Sequence, residues 1–485
     1  MMPNYKMYIG GKWVGADEYF ETINPATGKS LGRFPKGKEK HVNMAVDAAE
    51  KAFGKWAEMP PPKRGGILRK AADLLRKDKQ RLGKLVANEM GKVMPEALGD
   101  VQEAIDIFEY MAGEGRRLFG HTTTSELKDK FAMTVRMPVG VMGLVTPWNF
   151  PIAIPAWKLA PALVCGNAIV FKPSSDTPLC AYELVKILIK AGVPKGVVNL
   201  ITGPASDVGK PIVEHPKIRG VSFTGSKYTG EWITEHAGLK KVGLELGGKN
   251  PIIVMDDADL ELAAEGIIWG AFGTTGQRCT AASRLIVHRK IKNKLLKTIV
   301  ERAKKMKLGN PAQKSTDVGP LINRQALEKV QKYVEIGKKE GARMLCGGRA
   351  PSGKGFFYTP TVFSQVSQDM RIAREEIFGP VLSVLEFTNL REAIEMANAV
   401  EYGLSSSIYT KDVHNAFRAI EKLESGLTYI NSSTIGSEVH LPFGGVKSTG
   451  HTREAGIRGI DEFSNIKTVY VDYSGKLQKA QIDVD

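Results

Sequence analysis

Three residues of this 485-residue chain have types that suit chemistry at a carbonyl carbon: Cys279, Glu245 and Asn149. Cys279 follows GTTGQR and precedes Thr280 and Ala281, a small and polar setting, whereas Cys165 lies in the apolar run ALVCGNAIV and reads as core. A free cysteine is most often buried filler, but a thiolate beside exposed backbone donors is a nucleophile, and on the residues alone both readings stand. A thiolate attacking a carbonyl needs a donor for the developing oxyanion and, when water releases the product, a base. Asn149, in the tight segment PWNFP, can offer its amide N–H together with the backbone N–H of Cys279, or else it caps a turn. Glu245, in LELGGKNP, has glycines beside it that allow close backbone approach; it could be that base, or one half of a hinge salt bridge.

Other chemistries fit less well. The eight histidines run from His41 to His451 with no spacing of a metal cluster, and only His440 and His451 fall in a segment that reads as functional. Metal catalysis is not expected, while a Cys–His hydrolase stays open because such partners need not be adjacent in sequence. The four cysteines include no CxxC pair, which suits a reducing compartment. The net charge of +16 is spread along the chain in mixed clusters, so it reads as solvated surface and no nucleic-acid partner is expected. The N-terminus lacks an apolar run of signal-peptide length, and the greasiest stretch, 139 to 171, is broken by Asn149, Lys158 and Asn167. A cytoplasmic protein without a membrane partner is expected.

The elements that must position these residues are legible in outline. A chain of this length exceeds the roughly 250–300 residues at which one core stops growing, so two or more domains are expected. Short apolar stretches with turn signals such as NPATG (24–28) fill the first 60 residues, and helical patterns run from about 62 to 118. Within them AADLLRKDKQRLGKLVANEMGK reads as one packed surface helix. From 139 the pattern alternates: VGVMGLV, a helix near 155–165, AIVF, a helix near 178–191, VVNLI, a helix near 205–214, GVSFT, and a helix near 227–238. Such alternation predicts a parallel sheet covered on both faces, with ligands beyond the carboxyl ends of its strands. TPWNFP (146–151), KPSSDTP (172–178) and TGSKYTG (224–230) stand at those ends. The last opens a helix whose free N–H groups could hold an anion, although neither G-x-G-x-x-G nor a P-loop is present. A second α/β lobe begins near 248 and ends in the Gly-rich loop SSTIGSEVHLPFGGVKSTG (432–450).

Taken in order, TPWNFP, FKPSSDTP, FTGSKYTG, LELGGKNP, GQRCTAASR, EEIFGP and LPFGGVKSTG resemble the NAD(P)-dependent aldehyde dehydrogenase superfamily, in its non-acylating branch, over essentially the whole chain. The resemblance implies an α/β fold with a variant Rossmann coenzyme domain (1–120 and 139–247, with 448–464 returning to it). It also implies a second α/β catalytic domain (248–447) and a small β oligomerisation flap (121–138 and 465–485), in a homodimer or homotetramer. It implies oxidation of a small-molecule aldehyde to the acid through a thiohemiacetal and thioester on Cys279, hydride transfer to the nicotinamide, and hydrolysis assisted by Glu245, with Asn149 in the oxyanion hole. Lys172 would bind the adenosine ribose or a 2′-phosphate, Gly225 and Ser226 would approach the pyrophosphate, Glu376 and Phe378 would position the nicotinamide half, and Trp148 would lie against the cofactor channel. A purely structural dinucleotide-binding role is the remote alternative.

Two departures from the family pattern carry expectations. Many NAD-preferring members have a glutamate where this chain has Ser175; without that carboxylate a 2′-phosphate meets no repulsion, so NADP is expected to be tolerated or preferred over NAD. In the tail, Asn465 stands where a glutamate supporting proton relay is expected, so relay through Lys158 would need another partner or water. Phe150 and Phe443 are expected to line the substrate tunnel, with Ser437, Glu438 and His440 making its loop polar, and Arg278 or Arg284 could meet a substrate carboxylate. A polar semialdehyde, of the 2-oxoglutarate semialdehyde kind, is the substrate class this favours; broad aliphatic or aromatic aldehydes and glyceraldehyde are the alternatives.

Overall fold

A computed structural model describes residues 2–482; residue 1 and residues 483–485, the end of the expected flap, lie outside the described residues. One seven-stranded sheet runs in the order Lys241–Glu245, Gly220–Thr224, Val141–Val145, Ala168–Lys172, Val198–Leu200, Met7–Ile9, Lys12–Val14. Its first five strands are parallel, and the two N-terminal strands join antiparallel at the edge. Ala168–Lys172 and Gly220–Thr224 are buried at every residue, because the sheet is covered on both faces. Val42, Ala45, Val46 and Ala49 of helix Glu39–Glu58 pack on one face, and helices Pro61–Lys77, Met94–Glu114, Ala153–Cys165 and Pro178–Ala191 on the other.

The order of connection reverses between Val141–Val145 and its neighbour Gly220–Thr224. This is a topological switch point, where the chains leaving two adjacent strands diverge and open a crevice. Thr146–Asn149 leaves one strand there and Gly225–Ser226 the other, so the sequence places its motif segments on the two lips of that crevice.

Three local differences from the sequence reading have simple causes. Helix Glu39–Glu58 lies in a stretch read as short apolar segments, since its buried stripe is built mostly of alanine and valine with His41 at its start. His41 Nδ1 accepts from the Lys38 N–H at 3.0 Å, closing the first turn. The expected single helix breaks at Asp78 into Pro61–Lys77 and Lys79–Glu89. The segment 205–214 begins as a π-helix, Ala205–Gly209, before continuing as Lys210–Glu214.

The second seven-stranded sheet runs Arg343–Cys346, Thr361–Ser364, Val381–Phe387, Ala282–His288, Asn250–Val254, Ser405–Tyr409, Leu427–Ile430, parallel except at its first pair. A three-stranded antiparallel sheet joins Thr122–Thr124, Lys130–Pro138 and Ser464–Asp472, with Ser464 opposite Pro138 and Asp472 opposite Lys130. Between the large sheets the segment after Lys447 returns to the first one: Leu246 N–H donates to the Thr449 carbonyl at 2.9 Å, and Thr449 Oγ1 to the Gly247 carbonyl at 2.8 Å. Among the described residues no helix is long and apolar enough to cross a membrane.

Candidate active site

Cys279 ends a strained turn. Thr274 and Thr275 have φ of 51° and 59°, a region β-branched residues rarely adopt and one that costs about 1–3 kcal/mol per residue. The surroundings hold them there. Glu96 accepts from the Thr274 N–H at 2.9 and 3.0 Å and from its hydroxyl at 3.1 Å, Thr275 Oγ1 donates to the Gly319 carbonyl at 3.0 Å, and Gln277 Oε1 accepts from the Ile322 N–H at 2.9 Å. Gly276, at φ +68°, faces the Gly379 carbonyl, with which any Cβ would collide, so the EEIFGP turn packs directly on the cysteine turn. The turn presents Cys279 half-buried, while the other three cysteines are buried. Burial, then Glu245 and Glu376, push the thiol up to about 12; the N–H groups of Thr280 and Cys279 itself oppose that shift.

Cys279 lines two cavities, one on each side of the turn. Thr224, at the end of its strand, and Leu246 line both as well, so these three residues form the partition. The cavity at the switch point takes in Trp148, Asn149, Gly225, Ser226, Glu376 and Phe378. The opposite cavity takes in Glu245, Phe150, Trp157, Arg278, Ser437 and Phe443.

In the first cavity Trp148 and Phe378 meet edge to face at 5.5 Å, and Phe378 is held at φ 59°. Glu376 Oε1 accepts from the Gly248 N–H at 2.9 Å. A Cβ on Gly247 would lie 2.6 Å from that carboxylate and would push it aside. Ser226 caps helix Lys227–His236, its hydroxyl accepting from the Thr229 N–H at 3.3 Å. Asn149 Nδ2 donates to the Gln277 carbonyl at 3.1 Å, which leaves its second amide hydrogen for the cavity. Lys329, which the sequence reading did not single out, also lines this wall. Further along the same sheet edge, Lys172 is buried and donates to the Pro173 carbonyl at 3.1 Å; burial pulls its ammonium down to about 8. Ser175 donates to the Gly203 carbonyl at 3.1 Å.

In the second cavity Glu245 ends its strand buried, with neither carboxylate oxygen hydrogen-bonded. Burial first, then Glu454, raise it well above the usual carboxylate range, with Lys158 opposing. Lys158 is ion-paired with Glu454 and donates to Ser222 Oγ at 2.8 Å, all three being buried. This corrects the expectation about the tail. Asn465 lies on the exposed strand Ser464–Asp472 opposite Met137, and the partner of Lys158 is Glu454, in the HTREAG segment that follows the Gly-rich loop.

The expected lining residues divide similarly. Phe150, Ser437 and Phe443 line the second cavity. Arg278 lines it too, tied to Glu96 at 3.2 Å and to Thr274 Oγ1 at 2.8 Å. Arg284 does not: its guanidinium is buried under the second sheet and donates to the carbonyls of Lys249, Met396 and Ala397 at 2.7–2.9 Å. Glu438 and His440 pair with each other at 3.7 Å on the exposed side of their loop, away from the lining. Trp157, Trp269 and Glu103 line the cavity without having been foreseen. Trp157 sits in the buried stripe of its helix, while Glu103 and the exposed Trp269 lie off the buried stripes of theirs, and no motif marks any of them. Phe150 is fixed by cations, with Lys92 Nζ 3.2 Å and Arg278 Cζ 5.4 Å from its ring centroid.

The comparisons with known proteins agree with this geometry. The model of the aldehyde dehydrogenase family matches residues 13–469. The chain is 40% identical over 477 residues to alpha-ketoglutaric semialdehyde dehydrogenase of Bacillus subtilis, covering 96% of this chain and 98% of that one. It is 41% identical over 491 residues to D-glyceraldehyde dehydrogenase (NADP(+)) of Picrophilus torridus, covering 99% of each. Among solved structures, the NAD+ complex of aldehyde dehydrogenase from Bacillus cereus superposes with a TM-score of 0.95 at 39% identity, covering 97% of both chains. The chain belongs to the aldehyde dehydrogenase family and is an NAD(P)-dependent enzyme that oxidises aldehydes.

Proposed function

We propose that this enzyme oxidises a semialdehyde carrying a second polar or charged end to the corresponding acid, with Cys279 as nucleophile, Glu245 as base and Asn149 as oxyanion donor. The observation that carries the reading is the placement of Cys279 in the partition between two cavities, open to a substrate on one side and to a coenzyme on the other. The first cavity suits a dinucleotide. Gly225 and Gly247 leave backbone within reach, the helix beginning at Lys227 offers free N–H groups beside Ser226, and Lys172 is a buried ammonium with no carboxylate bonded to it. Trp148, Glu376 and Phe378 would hold the nicotinamide half; Lys172 and Ser175 would face the adenosine ribose. With a serine there, NADP is accepted alongside NAD.

The chemistry a bound nicotinamide supplies is hydride acceptance, which turns a thiohemiacetal on Cys279 into a thioester. The protein's own groups do the rest. The Cys279 thiol gives its proton to water, its Sγ bonds to the aldehyde carbon, and the carbonyl oxygen takes up the π electron pair opposite the free Asn149 amide hydrogen and the Cys279 N–H. For release, Glu245 takes a proton from water, the water oxygen bonds to the acyl carbon, and the C–S bond breaks to return the thiolate. Because burial keeps Glu245 protonated well above the usual range, this step speeds up as pH rises. The Lys158–Glu454 pair acts on the base through charge alone, Glu454 raising it and Lys158 opposing that shift.

On the substrate side, Arg278 is the cation that can meet a distal carboxylate, and Ser437 adds a hydroxyl. The aromatic wall of Phe150, Trp157 and Phe443 favours a second reading, oxidation of aliphatic or aromatic aldehydes. The test is initial rates of nicotinamide reduction with NADP and NAD in parallel, against succinic semialdehyde, 2-oxoglutarate semialdehyde, glyceraldehyde, hexanal and benzaldehyde. Rates concentrated on the semialdehydes support the first reading; highest rates with hexanal or benzaldehyde support the second.

We further read the first sheet as the coenzyme domain, the second as the catalytic domain, and the three-stranded sheet as an oligomerisation flap in a cytoplasmic homodimer or homotetramer. Strand Ser464–Asp472 supports the last point: it is the outer strand of its sheet and exposes Ile466, Tyr470 and Val471, an edge that pairing with a second copy would cover.

A further inference from the structure

We infer that Glu103 reads the charge of the incoming aldehyde: with its carboxyl protonated it donates to the free carboxylate of a semialdehyde, and once ionised it turns that carboxylate away. The inference rests on the semialdehyde reading above. Glu103 lies on helix Met94–Glu114 and lines the same cavity as Cys279 and Arg278. Nearby acids are committed. Asp100 accepts from Lys92 at 2.8 Å and from the Ala153 N–H at 2.7 Å, Glu96 holds Arg278 and Thr274, and Glu454 holds Lys158. Among the described residues no hydrogen bond or ion pair reaches Glu103. It therefore resembles Glu245, a carboxyl left open to whatever enters, but its neighbours differ.

Four charged groups bear on it most: Asp100 and Asp106 from its own helix, Lys92 from the turn before that helix, and Arg278 from the cysteine turn. Glu245 and Glu454 face the same cavity. Burial, then Asp100, bring Glu103 up to about 7, so its charge changes in the range where the enzyme would work. Below that value a substrate carboxylate meets an O–H donor beside the Arg278 guanidinium. Above it the carboxylate meets a second carboxylate, and Arg278, already shared with Glu96, compensates only in part. A neutral aldehyde experiences neither effect.

The test is the ratio of kcat/KM for succinic semialdehyde to that for hexanal, from about pH 6 to about pH 8.5, in the wild type, Glu103→Gln and Glu103→Met. The part Cys279 and Glu245 play in the chemistry is common to both substrates, and the charge of Glu245 acts on the semialdehyde in wild type and variants alike, so the effect of Glu103 is the difference between them. The expected result is a fall of about tenfold in the wild type, a ratio flat within about twofold in Glu103→Gln, whose amide donates at every pH, and a flat but lower ratio in Glu103→Met. A pH slope as steep in both variants as in the wild type, or a high ratio in the wild type that does not move with pH, overturns the role of Glu103 while leaving the semialdehyde reading in place. A ratio below one at every pH that still slopes in the wild type alone overturns the semialdehyde reading and leaves the charge reading of Glu103 standing.

Discussion

On the coenzyme side of Cys279 the carboxylate of Glu376 accepts a backbone N–H and has Lys329 and Lys249 near it, whereas on the other side Glu245 and Glu103 face the cavity with no hydrogen bond at all. A buried carboxylate with partners is a fixed positioning group. One without partners costs stability when ionised and is free to gain or lose a proton, which suits a base or a charge sensor. The wall between the two regions ends a strained turn, and on the proposed reading one side binds and orients the coenzyme while the other moves protons.

The sharpest way to break this comparison is to remove the partition's thiol. Cys279→Ala is expected to lower aldehyde-dependent nicotinamide reduction by about 10⁴-fold or more, with dinucleotide affinity, measured by calorimetry, changed less than about threefold. Glu245→Gln should act on the proton-moving side only. Turnover falls by about 10²–10⁴-fold, while a first burst of about one reduced nicotinamide per chain survives in stopped flow. The same variant tests the cost of the open carboxylate. Glu245 is raised in the folded state, so between its ordinary and its raised value the folded protein binds one proton more than the unfolded, and stability falls as pH rises through that window. Glu245→Gln should remove that slope and gain about 1–3 kcal/mol in denaturant titrations at neutral pH.

Lys158 and Glu454 offer the opposite case, a buried pair that is satisfied. Glu454→Ala strands the ammonium and is expected to cost about 3–5 kcal/mol, most of which Lys158→Met combined with Glu454→Leu restores. On the coenzyme side, Ser175→Glu should lower kcat/KM for NADP relative to NAD by about 10–10²-fold, since a carboxylate then faces the 2′-phosphate. The smallest effect is expected at Asn465→Glu, on the exposed strand of the three-stranded sheet, with kcat/KM changed less than about twofold.

The coenzyme side was the more legible in the sequence, and for a physical reason. Its residues leave the ends of consecutive parallel strands, so TPWNFP, KPSSDTP and TGSKYTG stand in the sequence where the strand pattern says a ligand must bind. The substrate side draws on helices Met94–Glu114, Ala153–Cys165 and Leu260–Phe272, two strand ends and several distant loops. Trp157 reads locally as core and Glu103 as an ordinary polar helix position beside a buried stripe, so nothing local marks either as part of a site. Glu454 was missed because proton relay was sought by position in the tail, while the buried partner of Lys158 comes from the turn after the Gly-rich loop. Helix Glu39–Glu58 was missed because its stripe of alanine and valine is weakly apolar.

The central claim is that Cys279 is the atom at which the two cavities exchange substrate and electrons. Its most direct test is mass spectrometry of the Glu245→Gln enzyme, acid-quenched after one burst with succinic semialdehyde and NADP and digested to peptides. The account predicts a succinyl thioester on the peptide carrying Cys279, in about one chain out of one. An unmodified Cys279 peptide after a full burst, or the acyl group on Cys165, Cys180 or Cys346, would contradict it.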